Sequence, residues 1–410
     1  MSRFDADRPW TGHARGSGGY RRLLLALFFA GIATFAQLYS VQGVLPGLAR
    51  DFGVSPADAA LSVSAATLGL ALAVIPWSWV ADRVGRKRTM AWAISAAVAL
   101  GFLVSVAPTF ETLLLIRFAE GAALGGIPAV ALVYLHEEIQ KLHAAVAAGT
   151  YVAGTTIGGL TGRIVAAPVA EWSDWRVGVF SVSVLAALAA AAFLWLAPPP
   201  RGFEAFVPGA GPPLWQRVVL NLRSGRLLAL YAQGFLLMGG FVAVYNYLGF
   251  RLERAPFLLP ESLASLMFLA YLAGTATSRI AGGLTVRHGR LTVLLAGIPV
   301  IVGGLAITLA DSIPWILVGL LIFTGGFFIV HSVAAGWTPA LASVGRGQAS
   351  SLYNFAYYAG SSLLGWMGGL FFVRIGWVGV AGFAAGLAVL AGIIAVCALR
   401  SAPGALPARP

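Results

Sequence analysis

The sequence predicts an all-α membrane protein: twelve transmembrane helices in two pseudo-symmetric six-helix bundles. Three observations predict it. The 410 residues are 59% hydrophobic and only 10% charged, with a mean hydropathy of +0.85, whereas soluble domains carry about 25% charged residues. The apolar residues fall in runs of about twenty, the length a helix needs to cross a bilayer. A short loop motif, Arg-x-Gly-Arg, recurs after the second run of each half.

The runs cover residues 22–42, 59–80, 89–108, 112–134, 144–163, 177–197, 227–248, 262–282, 291–310, 313–334, 348–371 and 377–399. Each exceeds the roughly 9–11 residues of a barrel strand and none alternates with period two, so helices are the fitting element. The least apolar are 112–134, which holds Arg117 and Glu120, and 262–282, which holds Arg279. The domain reading follows: a tail over 1–20, an N-terminal bundle over 21–197, a linker over 198–226, a C-terminal bundle over 227–400 and a tail over 401–410. The linker opens with Pro198-Pro199-Pro200-Arg201 and carries Pro208, Gly209, Gly211, Pro212 and Pro213. Within it, 214–224 reads as a short amphipathic surface helix, with Trp215, Val218, Val219 and Leu222 apolar and Arg217 and Arg223 polar. Residues 1–20 are polar and the run from Leu23 is too long for a signal h-region, so no cleavable signal is expected.

Orientation follows from Lys and Arg. With the N-terminus inside, nineteen of them fall on cytoplasmic segments and seven on outer segments or outer helix ends, Arg50, Arg163 and Arg176 among the seven and Arg279 set aside. That bias places both termini in the cytoplasm of a bacterium and the spans in its inner membrane. The net charge of +12 sits in short loops beside apolar runs and forms no basic domain. It suits anionic headgroups of the bilayer and excludes nucleic acid as a partner. The one cysteine, Cys397, excludes an internal disulfide and a cysteine metal cluster; it reads as a small packing residue.

Between the second and third runs stands Ala81-Asp82-Arg83-Val84-Gly85-Arg86-Lys87-Arg88. Its counterpart is Gly282-Gly283-Leu284-Thr285-Val286-Arg287-His288-Gly289-Arg290, which keeps Arg287, Gly289 and Arg290. Two parallel halves of six spans are a transporter arrangement, with the solute site near the midplane between them.

These residues resemble the major facilitator superfamily over about 20–400. The resemblance rests on Asp82, Arg83, Gly85, Arg86 and Lys87, which match the family's Gly-x-Leu-x-Asp-Arg-x-Gly-Arg-Lys loop. Ser78 and Val80 depart from it, and Val286 replaces the acid in the second copy. Arg117-Phe118-Ala119-Glu120-Gly121 is similar to the Arg-x-x-Gln-Gly motif of proton-coupled members, with Glu120 for Gln. Gly154 to Arg163 keeps the glycines of the antiporter stretch in span 5 but lacks its proline. Trp175-Arg176 and the segment Gln348 to Tyr358 are similar to the bacterial drug and sugar efflux branch. The resemblance implies a central cavity, alternating access, and an inner gate in which Asp82 faces the start of span 11 near Gly347.

Arg117 and Glu120 are three apart, share a helix face and can pair. Glu120 is the only acid inside a run, and ionisable groups there usually face a cavity, so the pair is either a proton site or a permanent structural ion pair. His331, in span 10, is a second titratable candidate. The expected cavity lining comprises Gln37, Tyr39, Gln42, Tyr151, Gln233, Tyr245, Asn246, Tyr353, Asn354 and Tyr357, hydroxyls and amides suited to a bulky amphipathic solute. Tyr245 and Tyr247 alternatively belong to an interfacial belt. His136, Glu137, Glu138 and His143 read as solvated. No metal, cofactor or Walker loop is expected, nor an enzyme. The function expected is proton-coupled efflux of a small organic solute such as a drug, metabolite or sugar, by a monomer. The alternative is an importer or uniporter of the same fold.

Overall fold

The computed structural model describes residues 10–203 and 214–402. Arg3, Arg8, Arg409 and the linker residues Pro208, Gly209, Gly211, Pro212 and Pro213 lie outside the described residues. The first span is compound. Helix α1, Gly18–Leu38, starts on Ser17, whose side chain accepts from Tyr20 N, the usual way to satisfy an orphan amide. A 3-10 turn over 42–44 leads into α2, Leu45–Phe52. Helix α3, Pro56–Val84, is capped by Ser55 and carries Pro56 in its first turn, where proline costs no hydrogen bond.

The motif loop is a single residue. Gly85, at φ +96°, separates α3 from α4, Arg86–Val104. Only glycine takes this conformation without strain. The fourth span is split at Gly125 into α5, Phe110–Leu124, and α6, Gly126–Glu138. Helices α7, Lys141–Trp172, and α8, Trp175–Leu196, complete the first half. The expected surface helix is α9, Leu214–Leu222.

The second half runs α10, Gly225–Leu252; α11, Glu261–Ser265; a 3-10 turn over 266–270; and α12, Tyr271–His288. Gly289, at φ +80°, repeats the one-residue turn before α13, Arg290–Ile307. Then come α14, Ile313–Leu341, α15, Arg346–Ile375, and α16, Trp377–Leu399. Among the described residues, ten helical segments are long and apolar enough to cross a membrane. Helices α7 and α15, of 32 and 30 residues, have the length as well and pack within the bundles on α1 and α10.

Close packing inside each half depends on small residues. A Cβ on Gly121 would overlap Ala66 O of α3, and one on Gly154 would overlap Phe28 O of α1. Between the halves the contact is one-sided. On α3 and α15, Ser64 Oγ donates to Ser362 O at 2.7 Å and Ser362 Oγ returns a bond to Ser64 O at 2.8 Å. Helix α7 packs on α11 and the 266–270 turn. All of these lie toward the end away from the basic loops, called here the far end. Toward the basic end the helices part: α12 packs on α13 and α14 of its own half, and of its 18 residues only Gly274 and Ala281 are buried. The two halves are therefore closed at the far end and split at the basic end.

Several positions differ from the sequence reading. Glu138 is fully buried and accepts from Arg201 N and Gly202 N, and Glu137 pairs with Arg86. The start of the linker folds back onto α6 and takes them out of water. Tyr245 and Tyr247 are buried among helices rather than set in a belt, and Cys397 is exposed on α16.

Candidate functional site

The far-end seal crosses the halves with charge. Arg50, at the end of α2, reaches Glu253 Oε2 at 2.5 Å and Glu261 Oε1 at 2.7 Å, both on the second half. Burial pushes the Glu253 carboxyl up to about 7 against the opposing pull of Arg50, and Glu253 Oε1 has no partner. A cleft of 620 Å³ lined by Arg50, Glu171, Glu253 and Glu261 opens above this seal on the far side.

Below the seal, a polar chain joins the halves. Gln42 Nε2 donates to Asn246 Oδ1 at 2.5 Å, and Arg163 Nε donates to Gln42 Oε1 at 2.6 Å. Arg163 Nη2 donates to the Tyr271 hydroxyl at 3.3 Å, and its guanidinium lies 3.9 Å from the Tyr39 ring centroid. Asn246 Nδ2 is buried without a partner. Tyr271 continues into an aromatic wall in the second half: Tyr245 at 4.6 Å, Phe241 at 5.1 Å, then Phe241 stacked on Phe327 at 4.1 Å. Phe327 stacks on His331, which lies 4.8 Å from Tyr357, while His331 Nδ1 meets the Tyr353 hydroxyl at 2.9 Å.

The Arg117–Glu120 pair is elsewhere. Both side chains are at most 1% exposed inside the first half, and they are paired to each other. Arg117 also donates to Ser62 O, Gln37 O and Leu38 O, tying span 4 to spans 1 and 2. With its amide nitrogen toward Glu120, Gln37 donates to Glu120 Oε1 at 3.3 Å and to Ala97 O at 2.9 Å. Residues 37 to 42 thus connect the ion pair to the polar chain.

The remaining candidates are dispersed. Tyr151 is buried with its hydroxyl unpartnered, Gln233 donates to Ala391 O between α10 and α16, and Asn354 is exposed on α15. At the basic end Arg86 binds Asp82 and Glu137 within the first half. Lys87 donates to Ala197 O, and the Arg83 guanidinium covers the Trp79 ring at 3.5 Å. Arg287 is exposed and Arg290 opens α13. The sequence reading missed Arg163 as a site residue because the apolar run stops there, whereas α7 continues to Trp172. The signal was a lone arginine bounded by apolar residues on both sides.

Two helical bundles with a polar core, closed at one end and split at the other, define a membrane transporter. The family model described as Major Facilitator Superfamily matches residues 27–254. The inner membrane transport protein YnfM of Escherichia coli (strain K12) is 39% identical over 379 residues, covering 92% of this chain and 90% of that protein. A D-xylose-proton symporter structure superposes with a TM-score of 0.75 at 15% identity, covering 94% of this chain and 99% of that one. A bacterial homolog of the human lysosomal transporter Spinster, inward-facing and occupied, superposes at 0.73 and 17% identity, over 94% and 98%. The chain belongs to the major facilitator superfamily and is a multi-pass secondary transporter, not an enzyme.

Proposed function

We propose that this protein is a proton-coupled exporter of a small organic compound, acting as a monomer in the bacterial inner membrane with both termini cytoplasmic. The observation that carries the reading is the one-sided closure. Contacts between halves gather around Ser64, Ser362 and Arg50, while α12 packs on α13 and α14 of its own half. A cleft open to the basic end accepts solute from the cytoplasm. Rocking of the halves then closes that end and opens the far one.

Glu120 supplies the proton site in this reading. Protonating it cancels the charge that faces Arg117, whose other bonds hold Gln37, Leu38 and Ser62 in place. Span 1 then adjusts between Gln37 and Gln42, where the polar chain begins. His331 is a second proton acceptor, in contact with Tyr353 and Tyr357 on span 11. Asp82, Arg83, Gly85, Arg86 and Lys87, with Arg287, Gly289 and Arg290, form the basic-end latch of the other state. Asp82, held by Arg86 here, is then turned toward the start of α15.

The test is reconstitution with a pH-sensitive dye inside the vesicles. Addition of a transported solute should move protons opposite to the solute. Solute flux with no proton movement overturns the coupling; co-directional movement overturns export.

A further inference from the structure

The reading above leaves one buried charge unexplained. Arg163 is 2% exposed, and among the described residues no carboxylate pairs with it. Its hydrogen bonds go to neutral acceptors: Gln42, its own helix at Gly159 O, and the Tyr271 hydroxyl at a long 3.3 Å. A buried cation without a counter-ion is costly, and such charges persist where they serve a site. Nearby Asn246 Nδ2, a second buried donor, also lacks a partner.

A second cation lies on the basic-end side of Tyr271. Arg279, two turns along α12 from Tyr271, is exposed in the middle of a membrane-spanning helix. An arginine there needs water, which the split between the halves supplies. Arg163 and Asn246 thus sit buried below the far-end seal, and of the two buried acids in the described spans Glu120 is bound to Arg117 away from them while Glu138 closes the basic end of its span.

We propose that the transported solute is an organic carboxylate with an aromatic or amphipathic body. Its acid group replaces the weak Tyr271 contact on Arg163, with Asn246 as an added donor. Its body lies against Tyr271, the half-buried member of the aromatic cluster, with Phe241 packed behind it, and Arg279 admits the anion from the basic end. A guanidinium binds a carboxylate through two parallel bonds, which a neutral solute cannot match. The inference deepens the transport reading above and needs neither its direction nor its proton coupling.

The test uses the full-length protein in detergent, with heat stability and intrinsic fluorescence as binding readouts. Benzoate and 4-hydroxybenzoate are compared with benzamide. The carboxylates should stabilise and the amide should not. Arg163→Gln should weaken carboxylate binding by about tenfold or more, and Arg163→Lys should retain part of it. Should Arg163→Gln fail to fold, the carboxylate-against-amide contrast on the unaltered chain and on Arg163→Lys decides. Equal effects of acid and amide, no effect of any carboxylate, or unchanged affinity in Arg163→Gln would each overturn the proposal. Failure of the transport reading looks different: carboxylates bind through Arg163, yet no carboxylate, and no neutral solute either, crosses the membrane of proteoliposomes.

Discussion

Arg117 shows how one side chain can organise a bundle. It holds an acid on its own helix and three backbone carbonyls on two others. Removing it leaves Glu120 charged and enclosed, a loss on the order of 3–5 kcal/mol for a buried pair. Arg117→Ala should therefore lower the unfolding temperature strongly in a detergent melt. Glu120→Gln keeps shape and hydrogen bonding and should fold with a smaller loss. The same Glu120→Gln protein should lose solute flux driven by a pH gradient while retaining exchange of solute for solute. Full pH-driven flux in that variant would reduce the pair to a structural one. The residue scale is also where the sequence was least informative. Arg117 and Glu120 were legible because charges stand out in an apolar run. Arg163 was not, because a charge at the edge of such a run looks the same as a topology signal. Glu138 looked solvated because nothing local reveals that Arg201 and Gly202 will return to it from sixty residues away.

At the scale of elements, the spans themselves were legible, since an apolar run of about twenty residues has little alternative to a helix in lipid. The breaks at Gly125 and over 42–44 have a local cause, since Pro128 and Pro46 lack the N–H that would bond the carbonyls of Leu124 and Gln42; the 266–270 turn holds no such residue. The recurrence of Arg-x-Gly-Arg was legible and acquires a physical cause in Gly85 and Gly289, whose backbone admits no side chain cheaply. Helix crossings depend on glycine in the same way. Gly121→Ala places a methyl against Ala66 O, so α3 and α5 must separate; the variant should show markedly lower folded yield by size-exclusion chromatography, and unchanged yield would mean that α3 and α5 can part without cost. The far-end seal joins elements through Arg50, Glu253 and Glu261. Burial raises the Glu253 carboxyl to about 7, so the sealed state holds that proton more tightly than an open, watered one. Acid thus favours the seal. The contribution is complete below the ordinary carboxylate range and is lost as pH rises through about 7. Labelling of a cysteine placed at Ser262 (with Cys397 replaced by serine) should speed up across that interval, and Glu253→Gln should flatten the dependence. An unchanged profile in Glu253→Gln would assign the pH response to another group.

At the scale of the molecule, the two halves meet through a reciprocal serine pair, a charged seal and a polar chain, all displaced toward one end. Such an interface has little to slide and can hinge, which is the mechanical content of alternating access. The most direct test is a pair of distance measurements by double spin labelling in lipid nanodiscs, again with Cys397 replaced by serine. One pair, at Leu142 and Val286, spans the basic end; the other, at Trp172 and Leu263, spans the far end. As the pH is raised past about 7, the value set by Glu253, the far-end pair should gain a longer distance while the basic-end pair gains a shorter one in the same proportion. Distances that stay fixed at both ends, or that lengthen together, would contradict the account.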